Sequence, residues 1–311
     1  MTSKMNLTTN ISTVFFGTGE VSLDTLVGIA DHVKIEAVIT KPDLVTSSGR
    51  TVSPKVKDWA EQNAVPCFQP GNKAELAALC EQESFDSPIG LVVDYGIIIP
   101  SSVIQSFRKG ILNSHFSLLP KWRGADPITW TILGGDTQTG VTIMLVDEGM
   151  DTGDILAQQT IALNPDETVA SLTPKLVNLS NDMLITTIPG YIGGDITPQP
   201  QNHDAATYST KITKEMGELK PSEFTAAELE RQIRAYQGWP GSYLTIHNTL
   251  LTIKNARVSK ETTPIGGLHW QNHTLLLGCK QGSLEITLLQ PAGKKPMDAA
   301  GFVNGYKQLL S

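Results

Sequence analysis

The chain has 311 residues, of which 40% are hydrophobic and 18% charged, and this length is sufficient for one large domain and a smaller one, each with its own core. The net charge of -7 argues against a nucleic-acid partner for the chain as a whole, because phosphate binding depends on Lys and Arg. Three widely separated cysteines, Cys67, Cys80 and Cys279, lack the paired spacings of zinc and redox motifs, so we expect reduced, structural thiols and no bound metal.

Nothing in the sequence predicts membrane targeting. Residues 1–10 are polar and lack the apolar region of a secretory signal, and the most apolar later stretch, residues 89–99, is interrupted by Asp94. We therefore expect a cytoplasmic protein without membrane contact, and we expect it to be a monomer.

Apolar runs alternate with helical patterns through the first two thirds of the chain, which is typical of a sheet connected by crossover helices. In chain order the patterns predict a strand over residues 11–16, a helix over 21–29, a strand over 33–39, a helix through 59–62, strands over 89–93 and 110–113, a helix over 125–133, a strand over 141–147 and a helix over 167–188 that residues 189–194 end. This βαβ-like order predicts an α/β domain over residues 1–194, with a Rossmann-like, mostly parallel sheet.

The pattern changes after residue 195. Pro198 and Pro200 lie in a polar stretch, so we expect a linker over residues 195–207 and a second domain over residues 208–311. Within that domain Thr225 and Glu228 have the spacing of a capping box at the start of a helix. Four short runs separated by turn residues, at 243–246, 250–253, 274–277 and 284–289, predict a small β-barrel.

The charge is unevenly divided between these two parts. From Tyr208 to the end there are 12 Lys and Arg against 8 Asp and Glu, a net of +4, and residues 1–207 carry 12 against 23, a net of -11. This asymmetry permits an RNA-facing second domain on an acidic body, although a small positive excess is also common on ordinary solvated surfaces.

Two polar side chains come at the end of a predicted strand. Asn113 and His115 are two residues apart, so they point to the same side of an extended chain. Sites in open parallel sheets form outside the carboxyl ends of strands, and the loop after residues 141–147 can bring Asp151 to the same edge. We expect these three side chains to meet.

This combination suits acyl transfer to an amine. The Asn side-chain amide and a protonated His can donate to a developing oxyanion, and a neighbouring Asp can orient the His and help a water remove the proton. The amine itself attacks, so no Ser or Cys nucleophile is needed. By spacing alone, however, such residues are more often turn or capping residues than catalytic ones.

Three longer segments remove that ambiguity. Residues 113–125 (NSHFSLLPKWRGA), 140–144 (GVTIM) and 147–156 (DEGMDTGDIL) closely resemble the folate-dependent formyltransferase family. The resemblance implies a catalytic trio of Asn113, His115 and Asp151, with 10-formyltetrahydrofolate as the formyl donor. It further implies that the folate-binding residues are Tyr95, Gly96, Ser117, Leu118, Leu119, Pro120 and Asp147. Asp94 stands where the family usually has Ala, which changes the polarity of the pterin pocket.

The turn after the first predicted strand contains Gly17 and Gly19, a spacing that also occurs in dinucleotide-binding proteins. The third glycine of that fingerprint is replaced by Ser22, so we expect no NAD. By resemblance to the family, the turn that contains Gly17 helps line the substrate site.

The C-terminal part indicates the acceptor. Lys211 and Ile212, residues 233–235 with 239–241, and residues 289–297 resemble family members that formylate initiator methionyl-tRNA and whose second domain is OB-like. Contacts with the acceptor are then expected at Gly17, Arg50, Arg123, Lys294 and Lys295. The loop over residues 43–52, strongly basic in those relatives, contains only Arg50 here. The alternatives are a sugar-nucleotide formyltransferase with the same donor, and an RNA-binding protein that retains the folate pocket without turnover.

Overall fold

The structure is a computed structural model that describes residues 11–46 and 49–311. Residues 1–10 lie outside the described residues, and with them the stretch that we expect to lack a secretory signal. Residues 47–48, in the loop over 43–52, also lie outside them. The chain divides into two compact units that are discontinuous in sequence. The first contains Met1–Gly124, Thr139–Ile161 and Thr173–Tyr208, and the second contains Ala125–Gln138, Ala162–Leu172 and Ser209–Ser311.

The first two thirds of the chain contain ten strands and six helices within the described residues. The strands are β1 (Ser12–Gly17), β2 (Lys34–Ile39), β3 (Leu44–Val45), β4 (Thr51–Val52), β5 (Cys67–Phe68), β6 (Ile89–Val93), β7 (Ile111–His115), β8 (Arg123–Gly124), β9 (Gln138–Leu145) and β10 (Ile155–Ala162). The helices are α1 (Glu20–Ile29), α2 (Lys55–Gln62), α3 (Lys73–Glu83), α4 (Ser101–Ser106), α5 (Pro127–Gly134) and α6 (Val169–Gly193). The predicted elements are all present, whereas β3, β4, β5, β8, β10, α3 and α4 were not predicted.

A seven-stranded sheet of order β10-β9-β7-β6-β1-β2-β5 forms the centre of the first unit. Strands β1, β2, β5, β6 and β7 pair in parallel, which confirms the expected α/β class. The inner strands are almost wholly buried because helices cover both faces of a parallel sheet, so their sequences are continuous apolar runs.

The sheet is mostly parallel, as expected, but one pair of central strands departs from the parallel βαβ order. Strand β9 runs antiparallel to β7, with Leu145 opposite Leu112 and Thr142 opposite His115. An apolar run shows that a strand is buried but not in which direction it runs. The carboxyl end of β9 therefore lies beside the start of β7, and the loop that follows has to fold back to reach Asn113.

Helix α6 continues through two prolines. Both Pro174 and Pro189 lie inside it, so residues 189–194 do not end the helix after residue 188 as predicted. A proline removes one backbone hydrogen bond, and burial of an apolar face compensates for that loss. In α6 that face includes the fully buried Leu176, Leu184 and Ile188.

The second unit is built on an antiparallel sheet, which confirms the expected β-rich C-terminal domain. The short strand β11 (Tyr208–Ser209) pairs with β8 and lies at the boundary between the units. After it, the chain contains α7 (Ala226–Ala235), β12 (Ser242–Ile246), β13 (Thr249–Ser259), β14 (Leu268–Gln271), β15 (Thr274–Gly278), β16 (Ser283–Pro291), β17 (Met297–Asp298) and α8 (Ala299–Gly305). Five of the strands are ordered β12-β13-β16-β15-β14, and β17 pairs with β16.

Helix α7 begins as predicted. The Thr225 hydroxyl accepts from the backbone N–H of Glu228, and the Glu228 carboxylate accepts from the backbone N–H of Thr225. Leu229 and Ile233 are buried in the core of this unit. Helix α5 packs against α7, and the Arg231 guanidinium donates to the Leu133 carbonyl oxygen over 3.1 Å. This packing explains why the second unit includes residues from before the predicted boundary.

The three cysteines are free thiols, as expected. Burial raises the pKa of Cys80 and of Cys279 to about 11 in each case, and it also raises the pKa of the half-buried Cys67. No helix within residues 11–46 and 49–311 combines the length and the apolar character needed to span a bilayer.

Candidate active site

Asn113, His115 and Asp151 meet in the first unit, as the sequence predicts. The Asn113 amide Nδ2 donates to Asp151 Oδ1 over 3.4 Å, and His115 Nδ1 lies 3.6 Å from Asp151 Oδ2. Strand β7 presents both Asn113 and His115 to the same side because they are two residues apart. Asp151 therefore bridges the amide and the imidazole.

The backbone of Asp151 is held in an unusual conformation. Its φ of 54° lies in the left-handed region, which Asp tolerates better than most residues but still at a cost in free energy. This conformation turns the loop after β9 back over the sheet. The carboxylate Oδ2 then also accepts from the backbone N–H of Gly124 over 2.7 Å.

The second nitrogen of His115 is also engaged. Its Nε2 lies 2.9 Å from the carbonyl oxygen of Trp122, and a carbonyl oxygen can only accept, so Nε2 carries the proton in this arrangement. Nδ1 consequently faces the Asp151 carboxylate. His115 is only 5% exposed, so it lies beneath the surface on which Asn113 and Asp151 are reached.

The loop from Asp147 to Asp154 is braced from within. Asp147 Oδ1 accepts from the backbone N–H of Gly149 over 3.0 Å and from the Thr152 hydroxyl over 2.7 Å. A Cβ atom on Gly153 would lie 1.8 Å from the carbonyl oxygen of Leu145, so only glycine fits there. The loop therefore has one close-packed arrangement.

A cavity of about 310 Å³ opens beside this trio. Its lining includes two of the trio, Asn113 and Asp151, and three of the predicted folate-binding residues, Tyr95, Gly96 and Asp147. Most of the remaining lining is apolar and comes from Val92, Ile97, Ile98, Ile99, Met144, Val146 and Met150. Apolar walls with a few polar groups suit a flat heteroaromatic ring such as a pterin.

The Tyr95 ring is buried against Phe16, with ring centroids 5.7 Å apart. Its hydroxyl has no hydrogen-bond partner among the described residues, and burial raises the pKa of the phenol well above its usual range. Its backbone carbonyl oxygen accepts from the Thr18 hydroxyl over 3.1 Å. This contact connects the end of β6 to the turn after β1.

The segment Ser117 to Pro120, which the resemblance places at the folate site, is not part of the lining of this cavity. Ser117 and Leu119 are buried, and the Leu119 N–H donates to the Thr142 hydroxyl over 3.1 Å. Leu118 and Pro120 are half-buried. The segment anchors the chain after β7 to β9, and a direct folate contact by any of its four residues stays a prediction.

The turn at Gly17 connects three elements. The Ser22 hydroxyl donates to the Val93 carbonyl oxygen over 2.6 Å and accepts from the Thr18 N–H over 3.0 Å. A Cβ on Gly17 would lie 2.7 Å from the Cβ of Ser22. Ser22, the residue that breaks the dinucleotide fingerprint, therefore joins α1 to the end of β6.

Arg123 is not available to an acceptor in this structure. It is 2% exposed, and its guanidinium donates to Gln201 Oε1 from Nε over 3.2 Å and from Nη2 over 2.7 Å. Nη2 also lies 3.0 Å from His203 Nδ1. The structure thus gives Arg123 an internal role instead of the predicted direct contact.

Gln201 was missed in the sequence because it lies in the stretch interpreted as a linker. That stretch is attached to the first unit, since the backbones of Ile155 and Gln199 exchange two hydrogen bonds of 2.7 and 2.9 Å. The sequence offered little to single it out, because Gln201 follows Pro200 in a segment that contains several other polar residues. Gln201 itself is 6% exposed.

Gly17, which is predicted to contact the acceptor, is buried, and the other three basic residues with that prediction lie on the surface. Arg50 is exposed beside the β3–β4 hairpin, and Lys294 and Lys295 are exposed before β17. Two lysines that follow the hairpin are engaged with acids, Lys55 with Glu20 and Lys57 with Asp43. Contacts between Arg50, Lys294 or Lys295 and an acceptor stay predictions.

No cluster of His, Cys, Asp and Glu in the part of the chain that the structure describes has the composition of a metal site. The polar groups that the trio presents for chemistry are an amide, an imidazole and a carboxylate.

Comparison with known proteins identifies the family to which the chain belongs. Residues 13–188 match the Formyl transferase family, and residues 211–307 match the Formyl transferase, C-terminal domain family. The chain belongs to the Formyl transferase family. It is 38% identical over 298 residues to methionyl-tRNA formyltransferase of Myxococcus xanthus, covering 94% of this chain and 95% of that protein. It is 37% identical over 307 residues to the protein of the same name from Pseudoalteromonas translucida, covering 96% of this chain and 95% of that one.

A solved structure shares the fold of this formyltransferase. The N-formyltransferase of Helicobacter canadensis, in complex with folinic acid and dTDP-3-aminofucose, superposes with a TM-score of 0.66 at 21% identity, covering 89% of this chain and 98% of that one. At this identity the likeness is one of fold alone. The family uses formyl-tetrahydrofolate, so this enzyme is a folate-dependent formyltransferase.

Proposed function

We propose that this formyltransferase transfers the formyl group of 10-formyltetrahydrofolate to the α-amine of initiator methionyl-tRNA. The convergence of Asn113, His115 and Asp151 beside the cavity carries this proposal. Two curated relatives named methionyl-tRNA formyltransferase support the choice of acceptor, because they match both units over almost the whole chain.

The amine nitrogen first forms a bond to the activated formyl carbon of the donor, and the bond from that carbon to the folate nitrogen then breaks. The folate nitrogen leaves with a proton, which balances the one that the amine loses. Tyr95, Gly96 and Asp147 would hold this donor against the apolar wall of the cavity. Asn113 would donate its side-chain N–H to the carbonyl oxygen as negative charge develops there. One preorganised donor of this kind stabilises a transition state by about 3 kcal/mol.

Asp151 would act on the amine proton. Its carboxylate faces the cavity with the Asn113 amide on one side and His115 on the other. As the nitrogen of the attacking amine becomes positive, the carboxylate stabilises it and accepts the proton directly or through a water. His115 would fix the direction of the carboxylate and, when protonated, donate to it from Nδ1.

The second unit would bind the tRNA. Its segment Ser209–Ser311 has a net charge of +4 and exposes Lys294 and Lys295, whereas its two earlier segments, Ala125–Gln138 and Ala162–Leu172, add four acidic side chains. We further propose that the enzyme acts in the cytoplasm as a monomer. Light scattering after size-exclusion chromatography measures the second point directly, and a mass twice that of the chain would contradict it.

The test is to incubate the purified enzyme with charged initiator tRNA and 10-formyltetrahydrofolate and to detect formyl-methionine after hydrolysis of the ester. The His115→Ala variant should be nearly inactive under the same conditions. If the folded enzyme leaves charged tRNA unmodified but formylates an amino-sugar nucleotide, the acceptor is wrong and the formyl chemistry stands. Binding of tRNA without any formylation would instead support an RNA-binding protein.

A further inference from the structure

Gln201 connects the catalytic loop to the interior through both ends of its amide. Its Nε2 donates to the backbone carbonyl oxygens of Asp151 over 2.9 Å and of Gly153 over 2.7 Å. Its Oε1 accepts both bonds from Arg123. Gln201 is 6% exposed and Arg123 is 2% exposed, so water is largely excluded as a substitute partner.

The orientation of this amide is determined by its partners. A guanidinium can only donate and a backbone carbonyl oxygen can only accept, so the oxygen of Gln201 must face Arg123 and the nitrogen must face the loop. Arg123 fixes the amide so that both of its N–H groups are directed at the loop. The charged donor also makes these bonds stronger than those between neutral groups.

The two backbone carbonyls that Gln201 binds belong to Asp151 and Gly153, the two residues whose conformation and packing define the path of the loop. Asp151 has a φ of 54°, and a residue in this conformation persists only when its surroundings determine it. Gly153 packs directly against the Leu145 carbonyl oxygen. Holding the Asp151 carbonyl sets the direction of its side chain, which must reach both Asn113 and His115.

We propose that Gln201 is a positioning residue for formyl transfer, and that it keeps Asp151 in its left-handed conformation while Arg123 locks the Gln201 amide. This inference rests on the proposed function of Asp151. It assigns a role in the reaction to the segment between the two Formyl transferase matches. Gln201 contacts the backbone of Asp151 but not its carboxylate, so we place its effect on the reaction in the position of Asp151.

The Gln201→Glu variant separates this role from simple packing. The new carboxylate has nearly the same shape and still accepts from Arg123, but it cannot donate to the two carbonyl oxygens. We expect kcat to fall about 10- to 100-fold, since a small misplacement of a catalytic group has effects of that size, while KM for both substrates changes little.

The second unit offers a matched control. Gln232 is 9% exposed, and its Nε2 donates to the carbonyl oxygens of Met216 over 3.1 Å and of Glu218 over 3.2 Å. Gln232→Glu removes the same kind of hydrogen bond without touching the Asp151 loop. At a temperature where thermal unfolding shows both variants to be folded, we expect kcat to fall in Gln201→Glu and to stay unchanged in Gln232→Glu.

Hydrogen–deuterium exchange gives a second measurement that does not depend on the acceptor. Residues 147–154 should exchange faster in Gln201→Glu than in the unaltered enzyme and at the same rate in Gln232→Glu. If Gln201→Glu does not fold, Arg123→Lys serves instead, because it keeps Gln201 and replaces the guanidinium that orients its amide. We expect Arg123→Lys to lower kcat and to speed the exchange of residues 147–154, each by a smaller factor than Gln201→Glu.

An unchanged exchange rate in residues 147–154, or a kcat within twofold of that of the unaltered enzyme, would overturn the inference. An equal loss of kcat in both glutamine variants would also overturn it. If the unaltered enzyme does not formylate charged tRNA, the proposed acceptor fails, and the exchange experiment still decides whether Gln201 holds the loop.

Discussion

Asp151 is the residue on which the site depends, because its one carboxylate serves three partners. It faces the Asn113 amide and the His115 imidazole, and it accepts from the Gly124 N–H. The side chain is 16% exposed, which leaves one face open to a substrate. An acid in this position combines partial desolvation with a fixed direction, and both strengthen its interaction with a developing positive charge.

Replacing the carboxylate while keeping its shape tests this role. We expect Asp151→Asn to lower kcat by about 100- to 1000-fold, because the amide neither stabilises the charged amine nor accepts its proton. The measurement is the initial rate of formylation with both substrates at saturation. Asp154→Asn, which changes an exposed acid at the end of the same loop, is the control and should retain its rate. A fall of less than threefold in Asp151→Asn would remove Asp151 from the mechanism.

At the level of elements, the site is assembled from two strands of opposite direction and the loop that follows one of them. Strand β7 provides Asn113 and His115, and the loop after β9 provides Asp151. Because the carboxyl end of β9 lies beside the start of β7, the loop must turn back over the sheet. Gly153 makes that turn possible by approaching Leu145 without a side chain.

A methyl group at position 153 should therefore displace the loop. The backbone carbonyl oxygen of Leu145 cannot move aside as a flexible side chain could, so we expect Gly153→Ala to lower kcat at least about 10-fold. The free energy of unfolding should fall by about 1–3 kcal/mol from overpacking. Gly305→Ala in α8, where a new Cβ meets open space, is the control. Equal rates and equal urea midpoints for the two variants would contradict this explanation.

The capping box of α7 involves only Thr225 and Glu228, so we expect its loss to affect stability and not the active site. Thr225→Ala removes the hydroxyl that accepts from the Glu228 N–H, and we expect it to lower the free energy of unfolding by about 1 kcal/mol. Urea denaturation measures the change. Thr225→Ser keeps the hydroxyl, so its midpoint should stay close to that of the unaltered protein. A similar loss in both variants would mean that the methyl group matters and the cap does not.

On the scale of the whole molecule, charge is divided between the two parts of the chain. Residues from Tyr208 onward have a net charge of +4, against -11 for the rest. An acidic body does not attract the tRNA backbone, so affinity has to come from a small number of basic side chains. The hairpin β3–β4 contributes only Arg50, and the two lysines that follow it, Lys55 and Lys57, are engaged with acids.

Salt dependence measures how many basic side chains pair with phosphates of the tRNA. For Lys294→Ala combined with Lys295→Ala, we expect the slope of log KM for tRNA against log salt to decrease by about two, because each lysine would neutralise one phosphate and release its counterion if the predicted contacts form. Arg50→Ala should decrease it by about one. Lys34→Ala changes an exposed lysine at the amino end of β2, opposite the site edge, and should leave the slope unchanged. Slopes that do not change in any variant would mean that other residues bind the tRNA backbone.

The sequence alone determined what depends on neighbours along the chain. Apolar periodicity predicted β1, β2, β6, β7 and α1, and the spacing of Thr225 and Glu228 predicted the start of α7, because these features need only a few consecutive residues. The motif segments likewise indicated Asn113, His115 and Asp151 as a group.

The tertiary structure decided what depends on residues far apart in sequence. It reversed β9 relative to β7, carried α6 through two prolines and buried Arg123 against Gln201. The direction of a strand, the tolerance of a helix for a missing hydrogen bond and the pairing of buried polar groups all depend on residues distant in sequence. A local sequence pattern does not identify those residues. A segment of prolines and polar residues has the composition of a linker, and only its neighbours in space make Gln201 part of the site.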